Sequence, residues 1–141
     1  ITGSLATFHP LRIDGHFTLA HARGRALAAD GADSTFLLSE KPDYTGTLGV
    51  TYTFSFGLEP ALELLATGEA FGLNDDNTFV SLGSSLVANA RISYRWFSDL
   101  TKNFTAQLFI RANNIFDTAT IPQIGLPAPG RTIIAGINVT L

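Results

Sequence analysis

The sequence contains no cysteine and no methionine, and only two of its 141 residues are lysine. Without cysteine there is neither a disulfide framework nor a thiolate metal site, so the redox compartment stays open. Charged residues make up 15% of the chain, against about 25% in an average soluble domain. The net charge of -3 leaves no basic patch to neutralise a phosphate backbone, which argues against nucleic acid as a partner.

Long apolar runs are also missing. The richest stretch, residues 61–70, is interrupted by Glu63 and Glu69, whereas a membrane-spanning helix needs about 20 consecutive apolar residues. The chain begins at Ile1 without a basic-then-apolar signal, which predicts a mature chain or a piece of a longer one. Neither a nucleophile elbow, a His-Glu-x-x-His pair nor a phosphate-binding glycine loop occurs. We therefore expect no enzyme activity, no cofactor and no metal site.

The dominant pattern in the sequence is a period of two. Between residues 43 and 55, Leu48, Val50 and Tyr52 share one parity, while threonine and glycine take the other. Such alternation is typical of β-strands with one apolar and one polar face. It predicts seven strands, at residues 3–8, 12–22, 43–55, 58–70, 85–97, 103–116 and 131–141.

The connectors between these strands alternate in length. The long connectors are residues 23–42, 71–84 and 117–130. Short turns at one end of a sheet and long loops at the other are typical of outer-membrane β-barrels, whose long loops are extracellular. A strand of about 11 to 13 residues, tilted by about 45°, covers about 26 to 30 Å along the membrane normal. The sequence therefore predicts an all-β antiparallel transmembrane barrel wall.

The two parities predict two different environments. Aromatic residues on the apolar parity lie near strand ends, as in the interfacial girdles of membrane barrels. The predicted girdle consists of Tyr44, Phe54, Tyr94, Trp96, Phe104 and Phe116. Charges gather on the other parity of three successive strands, where opposite signs predict cross-strand ladders facing the lumen. These residues are Glu59, Glu63, Glu69, Arg91, Arg95 and Arg111.

Seven strands do not close a bacterial barrel, because such barrels have even strand counts and no open edge in the membrane. Either an eighth strand lies within residues 23–42, or these are the last strands of a larger barrel. We favour the larger barrel. Two alternatives remain: a self-contained eight-stranded outer-membrane barrel with a structural or adhesive role, and a soluble ligand-binding barrel with its apolar parity turned inward.

A family resemblance supports the larger barrel. The run Asn113-Asn114-Ile115-Phe116-Asp117, followed by Pro129-Gly130-Arg131 before the last strand, resembles the carboxy-terminal end of TonB-dependent outer-membrane receptors. Gly136, Val139 and Leu141 also resemble the terminal signal read by the outer-membrane assembly machinery, although that signal usually ends in phenylalanine.

The resemblance implies a barrel of about 22 strands around an amino-terminal plug. In that family the barrel sits in the cell outer membrane and imports a scarce ligand of the siderophore, cobalamin or carbohydrate class. Residues 1–141 would be one region of the barrel, with no plug. The implied partners are outer-membrane lipid, the remainder of the barrel and plug, the small-molecule ligand, and a TonB-type energy-coupling protein that binds the missing amino-terminal part.

Overall fold

The structure is a computed structural model that describes residues 2–3, 7–8, 10–20, 23–27, 33–37, 40–76, 78–97 and 105–140. Within these ranges the chain forms ten β-strands. No helix long and apolar enough to cross a membrane occurs among the described residues. In chain order the strands are β1 (Thr2–Gly3), β2 (Thr7–Phe8), β3 (Leu11–Leu19), β4 (Arg23–Leu27), β5 (Asp33–Leu37), β6 (Tyr44–Tyr52), β7 (Leu58–Leu73), β8 (Phe79–Phe97), β9 (Thr105–Asn113) and β10 (Thr132–Thr140).

Eight of the strands form one antiparallel sheet. Its order is β1-β3-β6-β7-β8-β9-β10, and β2 also pairs with β3. From β6 to β10 each strand pairs with the next along the chain, which is the meander of an up-and-down barrel wall. Within the described ranges β10 pairs only with β9, so the sheet is open there.

The pairing register places the two sequence parities on opposite faces. Leu48 lies opposite Leu64, and Leu64 lies opposite Ala88, so apolar residues stack from strand to strand on one face. The large side chains of this face are exposed: Ile92 by 57% and Leu108 by 55%. The apolar face therefore does not enclose a core, which is the opposite of a soluble barrel with an apolar interior.

The extent of β7 and β8 differs from the sequence prediction. The prediction of a long loop at residues 71–84 is wrong, because β7 continues to Leu73 and β8 begins at Phe79. The bulges between Thr67 and Phe71 shift the register at this point, and a bulge breaks the alternation by which a strand is recognised. The backbone N–H of Asn74 donates to the carbonyl of Thr78 across the tip.

The other observed strand ends differ from the predicted ends by a few residues. The predicted strand at 3–8 is two short pieces, β1 and β2, and both pair with β3. The predicted strand at 103–116 ends at Asn113. The connector at residues 23–42 contains an extra hairpin, β4 with β5, which is a separate two-stranded sheet and supplies no eighth long strand to the main one.

Candidate functional site

Charged side chains cluster on the polar face of the sheet. They line a concavity of about 290 Å³ that spans β3, β6, β7, β8 and β9. Arg91 Nη2 lies 3.8 Å from Glu59 Oε1, and Arg111 Nη2 lies 4.0 Å from Glu63 Oε2. Arg91 on β8 thus pairs with Glu59 on the neighbouring strand β7, whereas Arg111 on β9 reaches Glu63 on β7 across the intervening strand β8.

The strand register explains why these pairs run diagonally. Arg91 lies directly opposite Arg111, so each guanidinium faces a like charge at its own level. Like charges directly opposite each other are destabilising, and longer side chains reach diagonal neighbours instead. Hydrogen bonds hold the carboxylates in place, because Asn89 Nδ2 donates to Glu63 at 2.9 Å and Thr53 donates to Glu59 at 3.3 Å.

The remaining predicted charges lie outside these pairs. Glu69 is exposed and accepts a hydrogen bond from Ser81 at 2.8 Å. Arg95 lies farther along β8, beside Gln107 and the turn after β6.

The sequence analysis missed two members of the cluster, Arg12 and Asp14 on β3. Arg12 Nε lies 3.4 Å from Asp14 Oδ1, and both residues line the same concavity. Because Arg12 and Asp14 flank the apolar Ile13, the period of two places both of them on the polar face.

The Asn-Asn-Ile-Phe-Asp run forms a tight corner after β9. Asn114 is 5% exposed and has a φ of 50°, a left-handed conformation that asparagine tolerates better than most residues. Its side chain accepts a hydrogen bond from the backbone N–H of Thr118 at 2.8 Å and donates to the Thr118 carbonyl at 2.9 Å. Its own N–H donates to Asn89 Oδ1 at 2.9 Å. The corner is therefore tied both to its own loop and to β8.

Asp117 joins this corner to the Pro-Gly-Arg segment. Its φ is 55°, and its carboxylate accepts a hydrogen bond from the backbone N–H of Arg131 at 2.7 Å. A Cβ on Gly130 would lie 2.6 Å from the same carboxylate, which explains why glycine precedes Arg131. We call Asn114, Asp117, Gly130 and Arg131 the clasp, because together they close the loop between β9 and β10.

The other residues of the family motif surround the clasp. Asn113 accepts a hydrogen bond from Arg111 Nε at 2.6 Å and donates to Thr132 at 3.1 Å. The backbone N–H of Ile115 donates to the Ala88 carbonyl at 2.8 Å, while the Phe116 ring is 76% exposed.

The loop closed by the clasp, residues 114–131, lies over the polar side of β7 and β8. Gln123 Nε2 donates to Glu40 Oε2 at 3.1 Å, which links this loop to the end of the connector before β6. Ile124 packs directly against Gly72, where a Cβ would overlap it. A cavity of about 610 Å³ lies between the loop and the two strands.

Aromatic residues of the predicted girdle occupy exposed positions. Tyr44, Phe54, Tyr94 and Trp96 are 37%, 37%, 42% and 67% exposed, whereas Phe104 lies outside the described residues. Of the predicted assembly signal, Val139 is half exposed and Gly136 is covered by the Phe109 ring. Leu141 also lies outside the described residues.

The described residues form two concave surfaces on the polar face. Among the described residues no three histidine, aspartate or glutamate side chains are grouped as a metal site would require. Arg91 and Arg111 are each paired with a glutamate on this face, and Arg12 is paired with Asp14.

No family model matches the sequence, and no curated protein matches it. A solved structure does match: the closed form of the ferric-catecholate import receptor Fiu from E. coli K12, with a TM-score of 0.70 and 22% identity. The match covers 95% of this chain and 19% of that receptor, so the chain spans about a fifth of its length. The chain therefore shares the fold of the matched part of that receptor, and the sequence prediction of a receptor-barrel segment is confirmed at the level of fold.

Proposed function

We propose that this chain is the carboxy-terminal part of the barrel of an outer-membrane import receptor. The whole receptor binds and imports a scarce ligand of the siderophore, cobalamin or carbohydrate class. Its further partners are outer-membrane lipid, the remainder of the barrel with its plug, and a TonB-type energy-coupling protein.

One observation carries the proposal: the sheet exposes its large apolar side chains on one face and gathers its charges on the other. Trp96 is 67% and Ile133 is 71% exposed on the apolar face. Contiguous exposed apolar surface of this kind needs a non-aqueous partner. A lipid bilayer supplies that partner, because membrane barrels turn apolar residues outward and polar residues inward. The likeness to the import receptor Fiu supports the same assignment.

The positions of the loops predict which end of the sheet faces the outside of the cell. Residues 114–131 and the tip at residues 74–76 lie at the same end of the sheet, since both follow strands that run the same way in the meander. The turn after β6, around Phe56, lies at the other end. In an outer-membrane barrel the longer loops face the outside of the cell and meet the ligand.

A protease-accessibility experiment tests location and direction together. A protease site is grafted into the tip at 74–76 of the full-length protein, another at 123–126, and a control site at 55–56. We expect cleavage of the first two on intact cells, and cleavage of the control only after the outer membrane is opened. The reverse pattern would invert the topology, and recovery of the protein outside the outer-membrane fraction would refute the proposal.

A further inference from the structure

The cavity beneath the loop at residues 114–131 differs in charge from the rest of the polar face. Its floor is formed by side chains of β7 and β8, among them Leu65, Leu82 and Val87. Its roof contains Ile121, Pro122 and Pro129 of the loop. At about 610 Å³, it falls within the range of small-molecule sites, about 300 to 1,000 Å³.

Charge is nearly absent from the lining of this cavity. Glu40 is its only charged residue among those described, and Glu40 is exposed and already accepts a hydrogen bond from Gln123. Arg91 and Arg111 line the separate concavity along the sheet, where each is paired with a glutamate. An anionic ligand in the cavity beneath the loop would have no described cationic side chain to pair with. Burying an unpaired charge is costly.

The amide side chains of the cavity are engaged elsewhere. Asn89 bonds to Glu63 and to the backbone of Asn114. Both ends of the Asn114 amide bond to Thr118, and both ends of the Asn113 amide bond to neighbours. The hydroxyls of Thr67, Ser85 and Thr120 remain as lining groups for a ligand. Few polar groups within an apolar wall select a ligand with an apolar body and few hydrogen-bonding atoms.

The roof of the cavity is fixed in place. The clasp holds both ends of the loop, and the backbone N–H of Ala128 donates to the Thr120 carbonyl at 2.9 Å across its middle. The contact of Ile124 with Gly72 anchors the tip. Because a preformed site loses less entropy when it binds, this cavity is suited to hold a ligand.

We propose that the cavity between the loop at 114–131 and strands β7 and β8 binds an uncharged small molecule with a largely apolar body. This inference rests on the proposed function and narrows it, since it names the chemical class of the ligand that the loop end of this wall accepts.

Two fluorescent probes of nearly equal shape test the charge preference. Phenylnaphthylamine is neutral, and anilinonaphthalenesulfonate adds one sulfonate charge. Each is titrated into the full-length protein in detergent micelles, the signal of protein-free micelles is subtracted, and Ser85→Trp serves as a cavity-filled variant. Thr67→Trp, on the directly opposite residue of β7, is a second filling variant. Asn138→Trp, on the polar face of β10 outside this lining, is the matched control.

We expect a saturable signal for the neutral probe in the wild-type protein and in the Asn138→Trp variant, and its loss in both filled variants. Binding of the sulfonate should be at least tenfold weaker. Equal or tighter binding of the sulfonate would overturn the charge assignment. Absence of any saturable signal in the wild-type protein would show that the cavity is closed in the whole receptor and would overturn the site. Both outcomes leave the protease result intact, so they are distinct from a failure of the proposed function.

Discussion

Asn114 illustrates why a short motif recurs at the end of a strand. Its left-handed backbone, its near-complete burial and its two side-chain hydrogen bonds to Thr118 all demand an amide at this position. Asp117 has a similar backbone conformation and fixes the start of the segment leading to β10 through the N–H of Arg131. Local geometry thus accounts for Asn114 and Asp117 of the motif.

Replacing Asn114 with alanine should lower the free energy of unfolding of the full-length protein by about 3 kcal/mol. Two hydrogen bonds of about 1 kcal/mol each are lost, and alanine adds the cost of a left-handed backbone. Asn114→Gly keeps the backbone conformation and should lose about 1 kcal/mol less. Urea titration in liposomes measures both variants, and the exposed Asn138→Ala is the control. Equal losses for alanine and glycine would show that φ is not the constraint.

The sequence placed the motif at a strand end but did not reveal the partners that complete it. Asn89 is 25 residues from its partner Asn114, and only the fold brings the two into contact. Arg131 follows Gly130 directly before the last strand. The structure shows that its backbone N–H, rather than its guanidinium, supplies a contact to Asp117.

Strand β6 shows how well alternation predicts a whole element. The register places its residues on the predicted faces. Because side chains alternate with a period of two, the pairing of one residue determines the face of every other residue in the strand. Alternation fails where the register shifts, between Thr67 and Phe71 of β7, because a bulge takes successive side chains off the period of two.

Two neighbouring positions on β6 give a direct test of which face meets lipid. Leu48 is 44% exposed on the apolar face, between Tyr44 and Phe54, and Thr47 lies on the opposite face. Leu48→Arg should destabilise the folded protein in liposomes by about 2 to 4 kcal/mol, the cost of arginine near the middle of a bilayer. Thr47→Arg should cost far less. A larger loss of stability for Thr47→Arg than for Leu48→Arg would show that lipid contacts the polar face, and would contradict the prediction.

The main sheet has two edges without a partner strand among the described residues. Its last strand, β10, has a partner on one side only among the described residues, and β1 and β2 pair only with β3. An unpaired strand edge in hydrocarbon leaves backbone groups without hydrogen bonds, each at a cost of several kcal/mol. We therefore expect both edges to pair with other strands of a longer protein.

Deleting Thr132–Thr140 from the full-length protein should abolish the heat-modifiable folded band on gels and deplete the protein from the outer-membrane fraction. The deletion exposes the edge of β9 along nine paired residues. Deletion of residues 74–76 at the loop tip is the control and should leave both readouts near the wild-type level. Normal assembly without β10 would show that this strand does not take part in closing the barrel.

The strands β7 and β8 extend beyond their neighbour β9, which pairs with β8 only from Ala90 onward. At about 3.3 Å per residue, the 19 residues of β8 are longer than a bilayer requires. The excess forms a two-stranded arm whose tip, around Asp75, projects beyond the contact between Ile124 and Gly72. Such an arm offers a place to display a foreign epitope on a cell surface without disturbing the wall that carries it.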